Sequence, residues 1–133
     1  MNKYELATDP TTPPEILDEL SNTYSWRIRE YVAHNPNTPQ ETLERLSNDV
    51  DEGVLWGVAL NPNTLPETLE RLSRYTNSRV RYHVSRNPNT PLDCLERLLN
   101  DVYSFIPGAV SRNSNTTSYH KIYYYYQDYL NLL

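Results

Sequence analysis

The chain has one cysteine (Cys94), one methionine and three glycines (Gly53, Gly57 and Gly108) among its 133 residues. A single thiol excludes an intramolecular disulfide framework and a cysteine-ligated metal cluster. So little glycine disfavours all-β folds, whose tight turns consume it, and the phosphate-cradling loops of dinucleotide-binding folds. No apolar run approaches the roughly 18 residues that a membrane-spanning helix needs. The first residues, Met1 to Pro14, lack the basic and apolar blocks of a secretory leader, so a soluble, cytoplasmic protein is expected. His34, His83 and His120 show no HExxH or other paired spacing, and there is no GxSxG and no phosphate loop. With the acids mostly at predicted helix starts and on solvated faces, the expectation is a protein that is not an enzyme and takes no cofactor and no metal.

What is plentiful is proline, with ten, and tyrosine, with twelve. An apolar fraction of 38% is meagre for one deep core. It suffices if each of several units buries a face against its neighbour. The net charge of −5 conceals an asymmetry: residues 1–70 hold 4 basic against 13 acidic side chains, and residues 71–112 hold 7 arginines against 3 acids.

A repeat decides the fold. Asn35-Pro36-Asn37-Thr38-Pro39 returns as Asn61-Pro62-Asn63-Thr64-Leu65 and as Asn87-Pro88-Asn89-Thr90-Pro91, 26 residues apart each time. Asp9-Pro10-Thr11-Thr12-Pro13 is a looser first copy, and Asn113-Ser114-Asn115-Thr116-Thr117 a decayed last one. Each copy reads as a helix start, with Thr38 as N-cap, Pro39 at the first helical position and Glu41 closing a capping box. The helix buries Leu43 and Leu46, with counterparts Leu17/Leu20, Leu69/Leu72 and Leu95/Leu98, while Glu44-Arg45, Glu70-Arg71 and Glu96-Arg97 face water. A shorter second segment carries Ile28/Val32, Val54/Val58, Val80/Val84 and Ile106/Val110 on one face. Its β-branched residues and brevity predict some 3₁₀ character. The small residues Ala33, Ala59, Ser85 and Ser111 predict close approach between neighbouring segments.

The expected architecture is an all-α solenoid in a single domain, 1–133, with units at about 6–31, 32–57, 58–83 and 84–109 and a degenerate cap at 110–133. In that cap Tyr119 to Tyr126 replaces the leucine helix, and the apolar phase runs through Ile122, Tyr126, Tyr129, Leu130 and Leu133. A tyrosine-rich helix there closes the last seam or offers an aromatic surface for a partner or for a second copy of the chain.

The pattern Val-Arg-x-x-Val-(Ala/Ser)-x-Asn-Pro-Asn-Thr-Pro-x-(Glu/Asp)-x-Leu-Glu-Arg-Leu is clearest in Val80 to Leu98 and in Ile28 to Leu46, where Thr42 takes the free position. It resembles the leucine-rich repeat variant family over about residues 6–116. The resemblance implies alternating α and 3₁₀ helices in two layers, wound into a right-handed superhelix. One branch of that family carries an N-terminal cysteine cluster for an iron–sulfur centre, which this chain lacks. The copies here are also longer than the commonest family period.

Within one chain, positions that recur hold the stack, and positions that vary are free for other uses. On the second helix the varying positions read Trp26, Arg27, Glu30, His34; Glu52, Gly53, Trp56, Leu60; Ser78, Arg79, Tyr82, Arg86; and Ser104, Phe105, Gly108, Arg112. They are expected to form a ridge that binds a protein partner, with Trp26, Arg27, Trp56, Arg79, Tyr82, Arg86 and Arg112 as anchors. The opposing reading has Trp26 and Trp56 covering gaps between copies. A second function, polyanion or nucleic-acid binding, rests on Arg71, Arg74, Arg79, Arg81 and Arg86 with Tyr75 and Tyr82 between them. Arg29 and Arg81 are repeat-equivalent, which predicts a structural use for both. The asparagine columns at 35/61/87/113 and 37/63/89/115 are expected to serve turn backbone rather than a ligand.

Overall fold

The computed structural model of the chain describes residues 1–116, 126–127 and 129–133. Its helices are α1 (Lys3–Thr8), α2 (Pro14–Leu20), α3 (Trp26–His34), α4 (Gln40–Leu46), α5 (Glu52–Leu60), α6 (Pro66–Leu72), α7 (Ser78–Arg86), α8 (Leu92–Leu98) and α9 (Phe105–Arg112). Among the described residues there is no strand. The even-numbered helices carry the leucine pairs, and α3, α5, α7 and α9 carry the valine and isoleucine–valine pairs. All of these side chains are buried in one continuous apolar seam running the length of the stack.

Two local expectations are corrected. The valine segment is not the shorter element: α3, α5 and α7 have 9 residues each against 7 in α4, α6 and α8, and they are α-helical throughout. Its β-branched residues occupy only the buried stripe, where packing outweighs propensity. Nor does the threonine of each turn cap the helix that follows, since Pro39 holds the N-cap position of α4 with no side-chain bond. Thr38 Oγ1 instead donates back to the Val32 carbonyl at 2.5 Å, and Thr64, Thr90 and Thr116 do the same to Val58, Val84 and Val110. A buried hydroxyl needs an acceptor, and the last carbonyls of the preceding helix lack intrahelical partners.

The Asn-Pro turns line up in a column, and each is stitched to the one before. Asn61 Nδ2 donates to the Ala33 and Asn35 carbonyls at 2.7 and 2.9 Å, while its Oδ1 accepts from the Asn63 backbone at 2.9 Å. Asn35, Asn87 and Asn113 repeat all of this one copy apart. The decayed copy at Asn113 therefore keeps the full set of bonds.

The Glu-Arg pairs expected to face water also bridge copies. Arg45 and Thr42 both bond Asp18 of the preceding unit, and Arg71 and Thr68 both bond Glu44. Thr42 is therefore not a free position but a buried one, as are its equivalents Thr68 and Cys94. Arg29 grips Asp49 through two nitrogens at 2.7 and 3.1 Å and donates to the Thr23 and Tyr24 carbonyls, and Arg81 does the same with Asp101, Tyr75 and Thr76. In the copy between, the same two places hold Leu55 and Tyr75, both joined to the apolar core.

The odd-numbered helices approach one another closely along the stack, α3 against α5 most of all, whereas successive leucine helices stay farther apart. Small residues explain the close spacing. A methyl group on Gly57 would lie 2.7 Å from Ala33 Cβ and 2.8 Å from His34 Nδ1. A stack bends toward its more closely spaced layer, so the face formed by α3, α5, α7 and α9 is the concave one.

Of the predicted cap, residues 117–125, Ile122 among them, and residue 128 lie outside the described residues, while residues 126–127 and 129–132 are helical. Tyr126, Tyr129, Leu130 and Leu133 are exposed, while Gln127 and Asn131 line a small cleft with Leu99, Val102 and Pro107 at the end of the last described copy. Among the described residues no helix is long and apolar enough to cross a membrane.

Candidate functional site

Part of the varying set lines a groove of two adjoining hollows along the concave face. One hollow, of about 730 Å³, is bounded by Trp56, Arg79, Tyr82, His83, Phe105 and Arg112, with Ser104 and Gly108 completing it. The next, of about 570 Å³, is bounded by Trp26, Glu30, Asp51, Glu52 and Trp56, with Val50 and Gly53. Trp56 belongs to both and forms the partition between them.

The aromatic wall is held in register by ring contacts. Tyr82 meets Phe105 edge-on with centroids 5.6 Å apart, and His83 lies 5.3 Å from Tyr82 and 6.2 Å from Trp56. Arg79 lies over Trp56 at 5.4 Å and Arg86 over Tyr82 at 5.7 Å, so each guanidinium is placed by a ring rather than by a carboxylate. Trp56 Nε1 and His83 Nδ1 are buried and bond to no protein group among the described residues. Burial pushes the His83 imidazolium below the usual histidine range, and the positive charges of Arg86, His34 and Arg79 add to the effect.

The two ends of the groove have opposite charge. Among the described residues Arg79, Arg86 and Arg112 have no ion-pair partner, and Arg86 and Arg112 flank a further small cleft on α7 and α9. At the other end Asp51 caps α5, Glu52 accepts from Asn77 Nδ2 at 2.6 Å, and neither they nor Glu30 form an ion pair.

Four of the seven partner-binding candidates, Trp56, Arg79, Tyr82 and Arg112, thus share one hollow, and Trp26 lines the neighbouring one. Arg27 does not line either; it lies over the Trp26 ring at 5.2 Å. The five-arginine cluster is divided. Arg71 pairs with Glu44, Arg74 with Glu70 and Arg81 with Asp101, which leaves Arg79 and Arg86 alone facing the groove side. Sequence reasoning missed His83, because it weighed histidines only as metal ligands or catalysts. The signal was present: the column Tyr31, Gly57, His83, Ala109 also varies from copy to copy.

Residues 26–51 match the family model for the leucine rich repeat variant. That segment is one complete copy of the unit, running from the start of α3 to the residue before α5. None of the curated proteins and none of the solved structures is a significant match. The resemblance read from the repeats is borne out in that copy, and the remaining copies reproduce its turn hydrogen bonds.

Proposed function

We propose that this stack of leucine rich repeat variant type is a non-enzymatic protein-interaction scaffold that takes a partner segment into its concave groove. The observation that carries the reading is a division of labour among columns. Side chains that recur in every copy are spent on the seam, the turn column and the inter-copy bridges. Those that change from copy to copy converge on one aromatic and arginine-lined surface, the residue types that dominate binding energy at interfaces. A rigid groove of that kind favours an extended segment, whose ordering on binding costs entropy that aromatic anchors must offset.

The test is selection from a displayed random-peptide library against the purified chain, with each clone re-assayed on a Trp56→Ala/Tyr82→Ala variant and on Phe105→Ala. Trp56 and Tyr82 pack partly against the core, so Phe105→Ala supplies a change at an exposed rim, and circular dichroism checks that all variants fold. Clones that lose about tenfold or more on these variants support the groove. Clones that bind the folded variants as well as the parent chain refute it. The polyanion alternative draws little support from a cluster in which Arg71, Arg74 and Arg81 are already ion-paired.

A further inference from the structure

Resting on the groove as a docking site, we infer that its occupant is a polypeptide segment whose own charge changes sign: an acidic half, a large apolar side chain, and a basic half. The groove inverts in charge at Trp56. On the α7–α9 side, Arg79 and Arg112 line the hollow and Arg86 stands beside Arg112, all without a carboxylate. On the α3–α5 side, Glu30, Asp51 and Glu52 line the adjoining hollow with no ion pair of their own; Arg27 lies over the Trp26 ring, and Arg29, which acts on Asp51 through space, is committed to Asp49. These groups lie on adjacent helices of one stack, yet none has formed an ion pair across the groove. Elsewhere on the same stack acids and arginines do pair, as Asp18 with Arg45 and Glu44 with Arg71. The groove charges are thus held apart by Trp56 and remain available to an incoming chain.

That inversion separates a peptide from a nucleic acid. A phosphate backbone drawn in by Arg79 and Arg112 meets three carboxylates as it continues past Trp56, and like charges facing one another oppose binding. A polypeptide can change sign along its length. Between the two charged ends, the hollow walled by Trp56, Tyr82 and Phe105 takes an aromatic or large aliphatic side chain. The groove crosses four helices, α3 to α9. At about 9 Å between packed helices and about 3.3 Å per extended residue, it accommodates about eight residues.

Fluorescence anisotropy with three labelled probes of matched length tests the inference. The first is a peptide with a glutamate-rich half, a central phenylalanine and a lysine-rich half. The second replaces its lysines by glutamate, and the third is oligodeoxythymidine. The first probe is expected to bind at least tenfold more tightly than the others. Arg79→Gln/Arg112→Gln and Glu30→Gln/Glu52→Gln should each weaken it by about three- to tenfold, the effect of removing partly exposed charge pairs. Arg74→Gln, which removes the same charge from the leucine-helix layer, should leave binding unchanged. If the all-acidic peptide or the oligonucleotide binds as well as the first probe, or if the glutamate variant binds the first probe undiminished, the inference is overturned. Library clones that need Trp56 but show no change of sign would defeat it and leave the docking groove standing. A library with no clone dependent on Trp56, Tyr82 or Phe105 would remove both.

Discussion

The two edges of the same odd-numbered helices behave in opposite ways. At their C-terminal edge every copy ends in a buried asparagine with the same three hydrogen bonds to two carbonyls and one amide. On their concave face the column 27/53/79/105 reads Arg, Gly, Arg and Phe, and the column before it reads Trp26, Glu52, Ser78 and Ser104. Neither column keeps one residue type through the stack. A repeat stack can vary one face without cost because cohesion is concentrated on the other, where backbone is bonded to side chain and the partner cannot drift. The comparison predicts that substitutions at the turn edge change stability and that substitutions on the concave face change binding.

The largest effect should come from Asn61→Ala. Asn61 is 1% exposed, and its removal strands the Ala33 carbonyl and the Asn63 amide and leaves the Asn35 carbonyl with the Thr38 amide alone. Losing those bonds while leaving buried partners unsatisfied costs about 3 kcal/mol. Urea denaturation should register the loss as a lower midpoint. A change under about 1 kcal/mol would mean that the column is decoration and the apolar seam alone holds the stack.

Next in size is Gly57→Ala, which probes the close spacing of the concave layer. The new methyl meets Ala33 Cβ and His34 Nδ1 well inside van der Waals distance. Because α3 and α5 have little room to separate, the substitution should cost about 2 kcal/mol despite the better helix propensity of alanine. Thermal unfolding followed by circular dichroism should show a Tm lower by several degrees. An unchanged or raised Tm would show that the helices yield.

Much of this was legible in the sequence, and the reason is physical. A 26-residue period written in Asn-Pro turns, leucine pairs and valine pairs encodes elements, seam and turn column together, because each recurring residue is buried or bonded to its own copy's equivalent. Direction of hydrogen bonding was not legible. Thr38 satisfies a cap pattern on paper, yet its hydroxyl turns back to Val32 because the burial of the turn decides which acceptor is near. Helix α1 was missed although Asn2 and Glu5 form a reciprocal capping box, with Glu5 N donating to Asn2 Oδ1 at 2.9 Å. That four-residue signal stands outside the repeat phase and was overshadowed by it. The groove was half legible: its columns could be named from variation alone, but whether they stood proud or enclosed a hollow depended on helix spacing.

The Arg29–Asp49 and Arg81–Asp101 pairs sharpen the comparison through pH. Burial raises the carboxyl of each aspartate, but the arginine's hydrogen bonds and the backbone amides of the following turn outweigh it and hold both below the usual carboxylate range. A depressed folded value means that the stabilisation is complete above the unfolded aspartate value, about 3.9, and is lost as pH falls through the folded values. Asp49→Asn/Asp101→Asn should therefore lower stability by about 1–2 kcal/mol per site at pH 7. The gap to the parent chain should narrow on acidification below about pH 4. A gap that stays constant down to pH 2 would assign the loss to packing instead of charge.

The smallest effect on stability should be that of Arg112→Gln, and its smallness is the point. Arg112 is exposed, has no ion pair among the described residues, and ends α9 where it adds only a modest interaction with the helix dipole. The change in unfolding free energy should stay within about 0.5 kcal/mol. Arg45→Gln is the matched control, since it removes the same charge from an exposed side chain that bonds Asp18 and Ser21 of the preceding copy. If Arg112→Gln proved the more destabilising of the two by urea denaturation, the concave arginines would be part of the scaffold, and the separation of cohesion from recognition on which the groove reading stands would be lost.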